Sequence, residues 1–371
     1  MSQLFKKLNE SLDEPAQRHP FRWWHAVLLL VLVAGTMYIV RGNSTAALDQ
    51  NYGWTSSNTQ KNEGAVFGTF FHITYQSDTS LEEGVKQTLD KVNQSLSMFE
   101  KESTISLINN NSCMDTDPMF ARVFNLAKEV SAETNGAFDI TVAPLVNLWG
   151  FGFKNIENVT DATVDSLLQY VGIDNVALVD GKIVKTYPET MLDCSAIAKG
   201  YGVDMVGEYL ESKGVEHYMV EIGGEVRVRG RNPRGTNWTI GITKPTDDPE
   251  LKNNEIQEVL HVGDLAMATS GNYRNFYMKD GKKYAHTIDP RTGHPVQHNI
   301  LSSTVLAEDC ATADAYATSF MVLGLEDAKQ VLKNHPELMA YFIYNDAEGN
   351  IQQWCSPKLK DMIEAKEETK Q

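Results

Sequence analysis

Two spacings of apolar residues alternate along the chain after residue 65, and they predict a fold of strands and helices. Over residues 66–75 apolar and polar positions alternate, as expected for a strand with one buried face. Over residues 80–100 the apolar positions return every three or four residues, which predicts a helix. Ser80 and Glu83 match a capping box at the start of that helix.

The same two spacings continue to about residue 344. They predict helices at residues 118–135, 161–171, 195–214, 307–324 and 325–334, and strands at residues 176–185, 215–231, 238–243, 257–261, 265–277, 284–288, 302–306 and 340–344. Asp180-Gly181 is a typical hairpin turn within one of these segments. Together the elements predict an α+β fold, with a mixed or antiparallel sheet core packed with helices.

Residues 23–40 form the one stretch that could cross a membrane. They contain no Asp, Glu, Lys or Arg, and as a helix they would span about 27 Å, close to the roughly 30 Å of a bilayer core. Four basic residues precede the stretch and Arg41 alone follows it, so the positive-inside rule places the N-terminus in the cytoplasm. A cleaved signal peptide is the alternative, because residues 44–46 loosely match a small-residue cleavage site.

Composition divides the chain into five expected segments. These are a cytoplasmic N-terminus at residues 1–22, a transmembrane anchor at 23–40, a polar linker at 41–64, the main folded domain at 65–356 and a charged, frayed tail at 357–371.

Charge and cysteine usage exclude several classes of protein. A net charge of −16 argues against a nucleic-acid backbone as partner. The four cysteines, Cys113, Cys194, Cys310 and Cys355, form no CxxC pair, which excludes zinc-ribbon and thioredoxin-type sites. A disulfide would be permitted outside the cytoplasm, but the sequence assigns no pairing.

Residues 307–324 carry the chemistry around which the rest is organised. Alternating alanines favour a helix and leave room for a ligand or another backbone to lie close. Asp314 and Thr318 are four residues apart and so share one helix face. A carboxylate and a hydroxyl are both oxygen donors, as a hard cation such as Mg²⁺ requires. The alternative is a buried helix whose Asp and Thr bond locally.

Residues 193–201 follow a strand-like segment and open a helix. Ser195 suits an N-cap, and free N–H groups at a helix start favour an anion such as phosphate. Lys199 would add positive charge one turn further on. A plain capped helix with a solvated lysine is the alternative.

Three further segments combine turn formers with polar side chains. In residues 286–295, His286 and Arg291 could contact phosphate, or Arg291 could simply brace the turn. Asp139 begins an apolar run, where it could bind a ligand or cap a turn. The pair Gly223-Gly224 indicates a bulge or a close approach by a ligand or another backbone.

Taken together and in this order, these segments resemble the ApbE-like FAD:protein FMN transferases over about residues 65–345. The motifs that carry the resemblance are Gly68-Thr69, residues 103–109, Asp139 to Val142 with Pro144-Leu145, Ala196 to Gly200, Ile222 to Gly224, Thr269 to Gly271, His286 to Gly293, and Ala313-Asp314 with Thr318. The resemblance implies an exported α+β enzyme with a smaller subdomain. It also implies FAD as substrate and Mg²⁺ as cofactor.

The resemblance also implies roles for individual residues. Metal ligands fall on the carboxylate of Asp314, the hydroxyl of Thr318 and the backbone carbonyl of Ala196. FAD contacts fall on Phe67, Thr104, Ile105, Ser106, Asp139, Lys199, His286 and Ile288. Asp314 and His286 are the implied catalytic residues. One departure is that family members commonly have Met where this chain has Phe67.

The implied reaction splits the diphosphate of FAD and joins FMN through a phosphoester to a Thr or Ser hydroxyl of a target protein, releasing AMP. The implied targets are flavoprotein subunits of membrane redox pumps, of the Na⁺-translocating quinone reductase or Rnf type. The implied location is the bacterial inner membrane, with a single anchor and the catalytic domain in the periplasm. An FAD pyrophosphatase and a non-enzymatic flavin-binding protein are the alternatives. No G-x-G-x-x-G motif follows the first strand, which disfavours an FAD oxidoreductase.

Overall fold

An eight-stranded antiparallel sheet organises the part of the chain that the computed structural model describes, namely residues 54–55, 57–152, 159–244, 256–271, 276–279, 282–297 and 299–367. In chain order the elements are β1 (Thr59–Val66), β2 (Thr69–Gln76), α1 (Glu82–Leu96), α2 (Thr104–Asn109), α3 (Pro118–Glu133), α4 (Ala143–Leu148), α5 (Asp161–Leu168), β3 (Val176–Val179), β4 (Lys182–Lys185), α6 (Ala198–Ser212), β5 (Tyr218–Ile222), β6 (Glu225–Arg229), β7 (Trp238–Thr243), β8 (Ile256–Val262), β9 (Leu265–Gly271), β10 (Phe276–Lys279), β11 (Lys282–Ala285), β12 (Ile300–Ala307), α7 (Cys310–Leu323), α8 (Leu325–Asn334), β13 (Met339–Asn345), β14 (Ile351–Cys355) and α9 (Pro357–Glu367).

The sheet has the strand order β1-β2-β5-β6-β9-β12-β13-β14, and every neighbouring pair is antiparallel. The strands β3–β4, β7–β8 and β10–β11 form three separate two-stranded ladders. The predicted α+β fold is therefore confirmed, with the antiparallel form of the sheet.

Both faces of the sheet are covered, so consecutive residues of a central strand can be buried on opposite faces. Val305 and Leu306 are consecutive in β12 and point to opposite faces. Val305 packs in the large core under the helices, and Leu306 packs in a second core with residues of β7 and β8. Both side chains are fully buried.

The helices α6 and α7 pack together on one face of the sheet, and their backbones come into close contact at Gly200. A Cβ atom at Gly200 would lie 2.3 Å from the carbonyl oxygen of Cys310 and 2.8 Å from Cβ of Asp314. Only glycine therefore fits at this crossing. The alanines of α7 are buried around it, as expected from their small size.

Asp204 of α6 ties the start of α7 to α6. Its carboxylate accepts the backbone N–H groups of Cys310 at 2.9 Å and Ala311 at 2.8 Å, and it accepts a hydrogen bond from Arg227 at 3.1 Å. Asp309 caps the same helix by accepting the N–H of Thr312 at 2.8 Å. These contacts set the position of α7 and of the side chains that it carries.

Two predicted helix starts are wrong. The first helix begins at Glu82, with Leu81 as N-cap, and Ser80 forms no capping box. The N–H of Leu81 instead donates to the hydroxyl of Tyr75 at 2.7 Å, which orders the chain before the helix. The predicted cap at Ser195 is also wrong, because α6 begins only at Ala198.

Three glycine-containing or terminal segments differ from their predicted form. The strand expected over residues 66–75 is divided by a turn at Phe67-Gly68, where both residues have positive φ angles. Residues 223–224 form the two-residue turn between β5 and β6 rather than a bulge. The tail from residue 357 forms α9, because Leu359 is fully buried in the second core.

Of the segments predicted before residue 65, the linker is the one that overlaps an element of the described structure, the strand β1. This strand begins within residues 41–64, the range predicted as a polar linker, and it pairs with β2 along its whole length. The predicted membrane span at residues 23–40 lies outside the described residues. Within the described ranges, no helix is long and apolar enough to cross a membrane.

We expect Gly200→Ala to destabilise the fold by about 2 kcal/mol or more, because the added methyl group would meet backbone atoms of α7 that cannot rotate away. Gly263→Ala is the matched control, since a Cβ atom there would meet nothing within 4 Å. The free energy of unfolding of each variant should be measured by urea denaturation. Equal stability of the two variants would contradict the close crossing.

The unfolding free energy should depend on pH through Asp204. Burial, aided by the charge of Asp309, raises the pKa of Asp204 to about 6. The folded state therefore holds this proton more tightly than the unfolded state, so this contribution to stability decreases as pH rises from about 4 to 6. Asp204→Asn should remove about 3 kcal/mol of that pH dependence. Identical slopes of unfolding free energy against pH in the wild type and in Asp204→Asn would rule out this role of Asp204.

Candidate active site

The carboxylate of Asp314 faces the start of α6. The residue is buried at 3% exposure, and its Oδ2 accepts the backbone N–H of Gly200 at 3.0 Å. The metal ligands implied by the sequence require α7 to lie close to the segment around Ala196. The contact between Asp314 and Gly200, four residues after Ala196, agrees with that requirement.

The contact with Asp314 satisfies a free backbone donor at the start of α6. Gly200 is the third residue of the helix, so its N–H belongs to the first turn and has no acceptor within the helix. Asp314 supplies that acceptor. Within the described part of the chain, no backbone N–H donates to the Ala196 carbonyl. This carbonyl oxygen, two residues before α6 begins, therefore has lone pairs that no backbone donor of the described residues uses.

Thr318 lies one turn after Asp314 on α7. Its hydroxyl forms a hydrogen bond of 2.9 Å with the hydroxyl of Ser270 on β9. Ser303 is opposite Ser270 on β12, and its buried hydroxyl has no partner among the described residues. Hydroxyl groups therefore line the sheet beside this part of α7.

The donors that converge here suit a hard cation. A carboxylate, a hydroxyl and a backbone carbonyl are all oxygen ligands, the type that Mg²⁺ and Ca²⁺ prefer. The described residues contain no group of three or more His, Cys, Asp or Glu side chains that could hold a metal. Magnesium needs no such group, because it usually completes its coordination with water and substrate phosphates.

Lys199 forms an ion pair with Glu225 in the same region. Its ammonium, on a side chain that is 31% exposed, donates a hydrogen bond to Oε1 of Glu225, whose side chain is only 3% exposed. Burial opposes the charge on Lys199, but the carboxylates of Asp314 and Glu225 outweigh it and raise the lysine's pKa. The predicted solvated form of Lys199 is therefore not what the structure shows.

Sequence reasoning missed Glu225. The residue follows Gly223-Gly224 and begins a strand in which charged and apolar residues alternate, a pattern that usually indicates a solvent-exposed face. That face is instead covered by α6, where Arg227 pairs with Asp204. A carboxylate directly after a glycine turn, within a motif already assigned to the family, was the available signal.

Phe67 occupies the turn between β1 and β2 with a positive φ of 51°. Its ring lies against Gly202, since a Cβ atom at that glycine would be 2.6 Å from the ring. Gly202 is three residues after Lys199, so the aromatic ring is placed beside the first turns of α6.

The segment of Thr104, Ile105 and Ser106 is held by its own capping contacts. The hydroxyl of Thr104 donates to Asp117 at 2.6 Å, and the N–H of Ser106 donates to Ser103 at 3.2 Å. Ile105 is fully buried in the large core. These contacts already engage the Thr104 hydroxyl and the Ser106 N–H. The FAD contacts predicted for this segment would therefore have to come from its other polar atoms.

Asp139 uses its carboxylate within its own loops. It accepts hydrogen bonds from the N–H and hydroxyl of Thr141, at 2.8 and 2.6 Å, and from the N–H of Ile173 at 2.7 Å. Burial raises its pKa, and these hydrogen bonds oppose the rise. The turn-binding alternative accounts for these contacts, while its direct role in FAD binding stays a prediction.

The segments around residues 104 and 139 are both hydrogen-bonded to residues 192–193, just before α6. Asn109, at the end of α2, exchanges two hydrogen bonds with the backbone of Leu192, at 2.7 and 2.8 Å. The N–H of Asp193 donates to the carbonyl of Ile140 at 2.6 Å. These loops thus support the segment that carries Ala196 and Lys199.

Ile288 belongs to a separate small core around α4 and α5, and His286 lies beside Phe151, which packs against that core. Ile288 is buried there with Leu145 and Trp149. The ring of His286 is half-buried, with its centroid 6.4 Å from that of Phe151.

Arg291 braces the turn that follows Ile288. Its guanidinium donates to both carboxylate oxygens of Asp289 at 2.9 Å. This is the structural alternative considered for Arg291 in the sequence. The hypothesis that Arg291 contacts phosphate has no geometric support here.

Comparison with known proteins gives a consistent family assignment. The model of the ApbE family matches residues 67–342. A Vibrio cholerae protein named FAD:protein FMN transferase is 39% identical over 274 residues, covering 71% of this chain and 81% of the relative. A Haemophilus influenzae protein of the same name is 37% identical over 321 residues, covering 82% and 91%.

Solved structures give the same result for the fold. Flavin transferase ApbE from Vibrio cholerae superimposes with a TM-score of 0.73 and 35% identity, covering 81% of this chain and 98% of that one. The apo form of flavinyl transferase ApbE from Pseudomonas stutzeri gives a TM-score of 0.74 and 27% identity, covering 85% and 99%. On these grounds, the chain belongs to the ApbE family.

Proposed function

We propose that this chain is a Mg²⁺-dependent FAD:protein FMN transferase that attaches FMN through a phosphoester to a Thr or Ser hydroxyl of a flavoprotein subunit. Its relatives of 39% and 37% identity carry that name for their activity. The observation that carries the metal part is the hydrogen bond from the N–H of Gly200 to Asp314, which places a buried carboxylate against the start of α6, four residues after Ala196.

Asp314, Thr318 and the carbonyl of Ala196 would hold the cation. Bound there, Mg²⁺ would supply Lewis-acid activation and a template for the two phosphates of FAD. The close packing of α6 on α7 holds the two side-chain donors on a rigid helix face. Catalysis of this kind depends mainly on positioning and on electrostatic stabilisation.

In the proposed reaction, the acceptor hydroxyl oxygen bonds to the phosphorus of the FMN half. The bond between that phosphorus and the bridging oxygen breaks, and the bridging oxygen leaves with AMP. Asp314 would orient the incoming hydroxyl or accept its proton. Lys199 would offer positive charge to the diphosphate, and His286 would stabilise the phosphate of the leaving AMP.

The remaining predicted contacts define how FAD would be held. Phe67 would pack on the cofactor beside α6, where the turn presents its ring. The segment of Thr104, Ile105 and Ser106, together with Asp139 and Ile288, would form the walls of the site. An aromatic ring in place of the family's common Met gives a flat surface for stacking.

The acceptor and the location complete the proposal. The acceptors would be flavoprotein subunits of membrane redox pumps, of the Na⁺-translocating quinone reductase or Rnf type. Residues 23–40 would anchor the chain in the bacterial inner membrane, with the catalytic domain in the periplasm. The uncharged stretch and the basic residues before it support this orientation.

Asp314→Asn should lower the rate of FMN transfer about 100-fold or more in Mg²⁺ buffer, because the amide removes the negative charge that binds the cation. Asn can still accept the N–H of Gly200, so the fold should be preserved. Mass spectrometry of a co-expressed acceptor subunit would measure FMN added to its threonine. Asp90→Asn, on the exposed side of α1, is the matched control. Normal flavinylation by the Asp314 variant would refute the metal assignment.

Incubation with FAD alone should separate transfer from hydrolysis. A transferase should release little FMN and AMP without an acceptor, whereas a pyrophosphatase would release both at full rate because water replaces the threonine. Chromatography of the flavin products measures the ratio. Retention of unchanged FAD with Mg²⁺ and acceptor present would instead indicate a flavin-binding protein.

A further inference from the structure

Glu225 is a buried carboxylate that is only partly used by the protein. Its Oε1 accepts the hydrogen bond of Lys199, but its Oε2 is buried and has no partner within the described ranges. Leaving a buried carboxylate oxygen without a donor is costly. A residue kept in this state calls for a reason other than stability.

The turn that precedes Glu225 is packed against the neighbouring strand. Glu225 is the first residue of β6, directly opposite Ile222 across the turn at Gly223-Gly224. A Cβ atom at Gly223 would be 2.7 Å from Cγ2 of Thr69, so the turn is packed against β2. The carboxylate is thereby anchored beneath the start of α6.

The ammonium of Lys199 is attracted by two buried carboxylates. Burial disfavours its charge, and the charges of Asp314 and Glu225 both favour it. Burial raises the pKa of Glu225; Lys199 opposes that rise and Asp314 adds to it. The only hydrogen bond that Lys199 forms through its ammonium among the described residues goes to Glu225, not to Asp314.

Whether Lys199 pairs with Glu225 or with Asp314 determines whether Asp314 can bind a cation. A lysine paired with Asp314 would neutralise that carboxylate and occupy a lone pair that a metal ion needs. Both carboxylates attract the ammonium of Lys199, whose side chain is largely covered, so loss of one carboxylate would favour pairing with the other. Removing the charge of Glu225 would leave Asp314 as the only carboxylate in the pair.

We propose that Glu225 is a positioning residue that holds the ammonium of Lys199 away from Asp314 and so keeps the Asp314 carboxylate open to a divalent cation. The inference rests on the proposed function, because it needs the cation site at Asp314. It also explains why an ion-paired lysine lies beside a site built from oxygen ligands.

The test measures metal binding in the absence of FAD, with Mn²⁺ as the probe. Electron paramagnetic resonance of free Mn²⁺ reports the bound fraction without any need for activity. Glu225→Gln should weaken Mn²⁺ binding about 10-fold or more, as loss of an outer-shell partner typically does. Glu225→Asp, which keeps the charge, should bind within about 3-fold of the wild type.

The double variant separates positioning from other roles. With Lys199→Met added to Glu225→Gln, no ammonium remains to occupy Asp314, so Mn²⁺ binding should recover to that of Lys199→Met alone. This non-additivity is the signature of coupling between the two residues. Circular dichroism melting curves establish that each variant is folded before it is titrated.

Three outcomes would overturn the inference, each in a distinct way. If Glu225→Gln binds Mn²⁺ as the wild type does, the residue does not protect the site. If the double variant remains as weak as Glu225→Gln, the carboxylate acts on the metal directly or only supports the fold. If the wild type binds no Mn²⁺ at Asp314, the proposed metal site fails and the inference fails with it.

Discussion

The hydrogen bond from the backbone of Gly200 to the carboxylate of Asp314 is the contact on which the site depends. It requires α6 and α7 to cross closely, which only glycine on one helix and small residues on the other permit. It also satisfies one of the free backbone donors in the first turn of α6. One contact therefore joins the helices and fixes the Asp314 carboxylate against the segment that follows Ala196.

Two ion pairs lie around this contact, and both involve residues of α6 and β6. Asp204 binds the N-terminus of α7 and Arg227, while Glu225 binds Lys199. Each carboxylate is on an element that also positions Asp314. Because buried charges are tolerated only when they are paired, the network restricts how the helices and the strand β6 can sit together. Stability and the geometry of the site thus rest on the same side chains.

Much of the fold could be predicted from the sequence because its elements have a strong period. The hairpin at Asp180-Gly181 and the helix α8 agree with their predicted positions within a few residues. The exact helix starts could not be predicted, since Ser80 and Ser195 fit the local rule while tertiary contacts decided the outcome. The helix α9 was missed because only the folded sheet provides the core that buries Leu359.

The site was predictable where chemistry follows local spacing and not where it needs long-range packing. The four-residue separation of Asp314 and Thr318 was enough to place both on one helix face. No spacing could show that Glu225, distant in sequence, would pair with Lys199. The same holds for the hydroxyl of Ser270 next to Thr318, which depends on the sheet register.

The most direct test of the account is a crystal structure of the protein grown with Mn²⁺, in which anomalous scattering locates the metal. The account predicts a peak within roughly 2.0–2.6 Å of the carboxylate of Asp314, the hydroxyl of Thr318 and the carbonyl oxygen of Ala196, the range of hard-cation ligand distances. A peak bound elsewhere, with the Ala196 carbonyl turned away from Asp314, would contradict it.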